Sequence, residues 1–168
     1  MKLLLITILV IGLTLPPFVQ KEKQTVTTYF LIRHAEKDRS NPTDKNPHLN
    51  NIGRERALNW SQILKNVKLD AVYSTNYNRT KETAKPTAAS QHLKVTLYHP
   101  LKIDYTAFKK ETKGKTILIV GHSNTIPNFV NAIIGKDKYK QIADNNNANL
   151  YIVTLNGYKT SDMQLYVK

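Results

Sequence analysis

The sequence predicts an α/β domain: a three-layer sandwich with a mostly parallel central sheet flanked by helices. Two observations carry this. Strand and helix signals alternate from residue 25 onward, the pattern of a parallel sheet with crossover helices. The apolar runs in "YFLIR" and "KTILIVGH" are continuous rather than alternating, as in strands buried on both faces.

The elements follow in order. A first strand is expected over Thr27–Ile32, and the polar "EKDRSNPTDKNPHLNN" after it reads as a loop. A helix is expected from Asn51 to Asn66, since Ala57, Trp60, Leu64 and Val67 recur on one face and Asn50 or Asn51 can cap it. Asp70–Ser74 is the second strand, and its helix starts near Asn78. Val95–Tyr98 is a short third strand, followed by the connecting segment "HPLKIDYTAFKKETKGK". Lys115–His122 holds the fourth strand. Its helix carries Ile126, Phe129, Val130, Ile133 and Ile134 as an apolar stripe, with Pro127 in the first turn and Gly135 at the end. "NLYIVTL" and "MQLYVK" form a closing hairpin around Asn156-Gly157.

The bulk numbers narrow the function. A chain of 168 residues with 40% hydrophobic content suits one folded domain. With no cysteine, disulfides, thiolate catalysis and Cys-ligated metals are excluded. Lys and Arg number 25 against 12 Asp and Glu, a net charge of +13 that favours anionic partners. Nucleic acid is not expected among them, because the nine tyrosines are scattered and form no basic-aromatic ribbon. Residues 1–24 differ from the rest: Lys2 precedes an apolar run from Leu3 to Leu15, the length of a signal-peptide core. The expected organisation is a signal peptide or N-terminal anchor over 1–24 and a single domain over 25–168. The protein is then exported, periplasmic or extracellular, with membrane attachment through 1–24 if the segment is retained.

Three strand ends carry the chemistry. The first ends in Arg33-His34, the second runs into a helix whose first turn holds Arg79, and the fourth ends in "GHSNT", which contains His122. In a parallel sheet these ends share one edge, where α/β folds bind ligands. Two arginines, two histidines and two helix N-termini repel one another around nothing, but together suit a dianion. The pattern is that of a phosphate pocket.

"LIRHAEK", "STNYNRTKETA" and "VGHSNT" resemble the motifs of the histidine phosphatase superfamily, with its phosphoglycerate mutase-like fold. "HLNNIGRERA" is similar to that family's Leu-x-x-x-Gly-x-x-x-Ala segment. The resemblance spans residues 27–155 and implies roles. His34 would be the nucleophile, taking the phosphoryl group as a phosphohistidine while its other ring nitrogen holds a proton against a backbone carbonyl. Arg33, Arg79 and His122 would hold the phosphoryl oxygens, and Ser123 and Asn124 are secondary anchors or plain helix-start residues. No metal or other cofactor is implied.

The implied activity is hydrolysis of a phosphomonoester or phosphoramidate, in a phosphorylated small molecule or a phosphoprotein. The alternatives are a non-catalytic phosphate-binding or sensor module and a mutase-type phosphotransferase. The family's general acid usually lies after the third strand, where this chain is short. Asp104 is favoured there over Glu111. Glu36 is the other choice, unless it pairs with a nearby Arg or Lys. His48, His92 and His99 read as surface residues. The short connection also implies little lid, and an open site suits hydrolysis better than retention of an intermediate.

Overall fold

The computed structural model describes residues 25–168. The region assigned to a signal peptide or anchor therefore lies outside the described residues. Ten elements follow one another: β1 (Val26–Arg33), α1 (Asn51–Ile63), β2 (Ala71–Thr75), α2 (Asn78–Ser90), β3 (Val95–Tyr98), α3 (Tyr105–Glu111), β4 (Thr116–Gly121), α4 (Thr125–Ile134), β5 (Asn149–Asn156) and β6 (Lys159–Tyr166). The six strands form one sheet in the order β3-β2-β4-β1-β5-β6. β1, β2, β3 and β4 pair in parallel, while β5 runs antiparallel to both β1 and β6. β5 alone runs against the common direction.

The continuous apolar runs are explained by the two faces they serve. Tyr29, Leu31, Ile117 and Ile119 point to one side, where they pack with Phe108 of α3 and Ile126, Phe129, Val130 and Ile133 of α4. Ile32, Leu118 and Val120 point to the other, against Trp60 of α1, Leu64 just after it, and Ala84 and Ala88 of α2. Neighbouring residues on a strand face opposite ways, so only a strand covered twice is apolar at every position. Gly135 closes α4 in the left-handed conformation (φ +68°), which costs a glycine little.

Three expectations are corrected. The first helix stops at Ile63, not Asn66. The hairpin turn is Gly157-Tyr158, one residue later than expected, with Gly157 at φ +59° as a II′ connection prefers. The connection between β3 and β4 contains a helix, α3, where none was expected. It has seven residues, too few to show a period, and is held by burial of Phe108 and by its cap. That cap is Asp104, whose carboxylate accepts from the backbone N–H of Thr106 (2.9 Å) and Ala107 (3.0 Å). Asp104 thus has a structural task, and it is not among the residues lining the cavity beside His34.

Candidate active site

β1, β2 and β4 end at one edge of the sheet, and the side chains expected to act together meet there. His34 follows β1 directly, and its backbone N–H donates to the Gly121 carbonyl at the end of β4 (2.9 Å). The His34 ring is almost fully buried, at 4% exposure. Its Nδ1 lies 2.7 Å from the Ala35 carbonyl oxygen. A carbonyl only accepts, so Nδ1 carries the ring proton and Nε2 keeps its lone pair. The His122 ring stands edge-on to His34, with centroids 5.5 Å apart.

The tautomer of His122 follows from its neighbours. Thr80 Oγ1 donates to the Thr75 carbonyl (2.8 Å), so it must accept from the Thr75 hydroxyl (2.9 Å). Thr75 Oγ1 has then only a lone pair to offer His122 Nε2 at 2.9 Å, and Nε2 is the donor. Nδ1 is left facing Arg79 Nη2 at 3.5 Å. As placed, His122 offers an acceptor on that side. To donate to a phosphoryl oxygen there, as the resemblance implies, it must take up a second proton.

The two arginines do different work. Arg79 lies over the Tyr77 ring, 4.5 Å from its centroid, and its Nε and Nη1 are buried without a partner. Such donors are costly to leave unmet and await an acceptor. Arg33 is committed elsewhere. Its Nη1 donates to the carbonyls of Ala143, Asp144 and Asn146 (2.8, 3.0 and 2.9 Å), and its Nη2 to Asp144 Oδ1 (2.9 Å). Only Arg33 Nε lacks a partner. The Arg33 fork fastens the segment before β5 to the end of β1, which leaves Nε as the atom with which Arg33 could meet a phosphoryl oxygen.

That segment is the part sequence reading missed. Asn147 is buried and donates from Nδ2 to the His34 carbonyl (2.7 Å). A cavity of about 550 Å³ opens beside His34, lined by Glu36, Lys37, Arg39, Asn50, Asp144, Asn145 and Asn147 as well. The one available signal was "DNNNAN", a polar cluster running straight into a buried strand.

The remaining expectations divide. Glu36 pairs with Arg56 Nε (2.8 and 3.0 Å), the ion-pair option anticipated for it, although it also lines the cavity. The Leu49, Gly53 and Ala57 spacing serves this corner. Leu49 and Ala57 pack on Ala35, and a Cβ on Gly53 would sit 2.1 Å from the Glu36 carbonyl oxygen, so only glycine lets α1 approach the loop after the nucleophile. Asn124 is the N-cap position of α4 but makes no capping bond, and Ser123 gives its carbonyl to Ile142 N–H. Glu111 is exposed and meets only the Tyr73 hydroxyl (3.4 Å). His48 is exposed yet paired with Glu82, more engaged than a plain surface residue. Among the described residues, no cluster of three His, Cys, Asp or Glu could hold a metal.

Both imidazoles are pushed toward the neutral form. His34 falls from 6.5 to about 3, chiefly by burial and further by the charges of Arg33, His122 and Arg79, with its bond to Ala35 working the other way. His122 falls to about 4 by burial and by the charges of Arg79, Arg33 and Lys37. The sign for stability follows. In the unfolded chain both rings regain the ordinary 6.5, so from there down to about 4 the unfolded state binds more protons than the folded one. Stability therefore falls as pH drops through this window. The melting temperature of the unaltered chain should decline more steeply there than that of His34→Gln, which lacks one of the two groups. Parallel declines would show that the His34 ring is not held neutral.

Comparison with known proteins agrees with this geometry. The family model described as histidine phosphatase superfamily (branch 1) matches residues 29–102, the stretch that holds Arg33, His34 and Arg79. Over that stretch the chain is similar to the histidine phosphatase superfamily. No curated protein sequence matches it. Among solved structures, the protein histidine phosphatase SixA complexed with tungstate superposes with a TM-score of 0.64 at 16% identity, covering 83% of this chain and 96% of that one. Phosphoglycerate mutase from Bacillus anthracis gives 0.65 at 15%, covering 84% and 93%. A mycobacterial glucosyl-3-phosphoglycerate phosphatase gives 0.62 at 10%, covering 85% and 100%. At these identities the likenesses establish the phosphoglycerate mutase-like fold.

Proposed function

We propose that the protein is a phosphatase that hydrolyses phosphomonoesters or phosphoramidates through a phosphohistidine on His34, without a metal. One observation carries this reading: His34 Nδ1 is tied to the Ala35 carbonyl, which leaves Nε2 unprotonated in a site where Arg79 has two unpartnered buried donors. Nε2 attacks phosphorus, the bond to the leaving group breaks with its electron pair, and Arg79 with Arg33 Nε holds the equatorial oxygens. Water then attacks phosphorus and the P–Nε2 bond breaks. Inorganic phosphate leaves as dihydrogen phosphate, keeping both of the water's protons, and His34 is restored with its proton on Nδ1. Two of the structural neighbours are phosphatases by name, which supports hydrolysis as the reaction type.

The carboxylates explain a preference among substrates. Glu36 is paired with Arg56, and Asp144 with Arg33 and Arg39. The bond from Arg33 holds the Asp144 carboxyl below its usual range, so it stays ionised. Asp104 caps α3. Each of these carboxyls is engaged within the protein, so leaving groups that depart without a donated proton are favoured: aryl oxides, and the nitrogen of a phosphoramidate such as phosphohistidine.

The test is turnover of an aryl phosphate, an alkyl phosphate and a phosphohistidine peptide with a chelator present. The aryl and phosphoramidate substrates should exceed the alkyl one by about 10²-fold or more, the usual contribution of a general acid. Asp104→Asn should leave all three rates unchanged. Loss of activity with chelator and recovery with a divalent ion would refute the mechanism. A selective loss on the alkyl substrate in Asp104→Asn would restore Asp104 as the acid.

A further inference from the structure

The end of the sheet opposite the candidate active site gathers unpaired lysines. β1, β2, β3, β4 and β6 all begin there, and a lysine precedes or opens each one after β1. Lys65 and Lys68 lie before β2, Lys94 before β3, Lys113 and Lys115 before β4, and Lys159 opens β6. All six are exposed, and none forms a salt bridge with a described residue.

The contacts across this end show that they share one surface. Asn156, paired with Lys159, also pairs with Val26, and Thr28 N–H donates to the Lys115 carbonyl. Asp70 N–H donates to the Thr116 carbonyl, and Val72 pairs with Val95 beside Lys94. The nearby acids, Asp70 and Glu111, are two against these six lysines and leave the end net positive.

We infer that this lysine-bearing end of the sheet rests on an anionic phospholipid surface, with the His34 site held facing away. Three observations select a membrane over another polyanion. The chain enters the described domain at this end, where Thr25 stands against Gly114, and the segment before it contains the apolar run Leu3–Leu15. A retained apolar segment would join the domain at this end. Tyr158, at the tip of the β5–β6 turn on the same end, is fully exposed, as suits an aromatic at a membrane–water boundary. The lysines meet the headgroups as separate point charges, which suits a diffuse negative surface. β1 spans eight residues, about 25 Å of strand, and that length separates the His34 site from the lipid.

The experiment uses the full chain, whose apolar segment partitions into any bilayer, and reads the ratio of binding to anionic and neutral vesicles. The anionic vesicles are an about two-to-one mixture of phosphatidylcholine and phosphatidylglycerol; the neutral ones are phosphatidylcholine. Each lysine at such a surface contributes up to about fivefold. Cosedimentation should favour the anionic vesicles by about tenfold or more at low salt. The preference should collapse toward one in high salt, and also in the variant carrying K65Q, K68Q, K94Q, K113Q, K115Q and K159Q. Hydrolysis of aryl phosphate by that variant should be unchanged, which reports that it is folded. If the substrate reading fails and neither chain is active, matching melting temperatures serve instead. A ratio near one for the unaltered chain overturns the inference, as does a ratio the variant preserves. Equal, lysine-dependent binding to duplex DNA overturns the choice of lipid.

Discussion

Replacing His34 with alanine lowers turnover of an aryl phosphate by about 10⁴-fold or more, the scale seen when a covalent nucleophile is removed. The effect is this large because no neighbour can take over. His122 commits Nε2 to Thr75 and turns Nδ1 toward Arg79. Binding behaves differently. Arg79 keeps Nε and Nη1 free of protein partners, and Arg33 keeps Nε, so the variant should still bind tungstate or inorganic phosphate. Quenching with labelled substrate separates the roles: the unaltered chain traps an acid-labile, base-stable phosphoenzyme, and His34→Ala traps none. A labelled adduct on His34→Ala would move the nucleophile elsewhere, and loss of oxyanion binding as well would show that the ring holds the pocket's shape.

Arg79→Lys should cost on the order of 10²- to 10³-fold in kcat/KM, the loss typical of one electrostatic contact to the reacting group. The reason is geometric. Arg79 lies over the Tyr77 ring, and its Nε and Nη1 are buried with no partner. A lysine supplies charge, but it cannot supply two donors held in one plane or stack on the ring in the same way. Melting temperature should change little, because Arg79 makes few bonds within the protein. A rate within a few-fold of the unaltered chain would mean that charge alone is used. A large fall in melting temperature would mean that Arg79 supports the fold, as Arg33 does through the Ala143–Asn146 segment.

Much of the fold was legible because burial on two sides leaves a plain mark. The runs through Leu31 and Ile119 could be only twice-covered strands or buried helix, and their length and flanks favour strands. Strand-to-helix joints then placed Arg33, His34, Arg79 and His122 at one edge before any distance was known. α3 was invisible for a matching reason: seven residues give no period, and Phe108 is a core residue only because α4 and the sheet surround it.

What the sequence by itself determined is the set of strand ends and the residue types they deliver. Those depend on local pattern and on chain direction. What only the tertiary structure decided is how each side chain is committed. β5 enters antiparallel, so its beginning, not its end, reaches the edge where β1 stops; this brings Asn147 to the His34 carbonyl and the Asp144 carboxylate to Arg33. Asp104, named from its position after β3, is drawn into capping α3. A hydrogen bond joins one donor to a particular acceptor, often more than a hundred residues away. That pairing depends on strand direction and packing, which the spacing along a single chain does not encode.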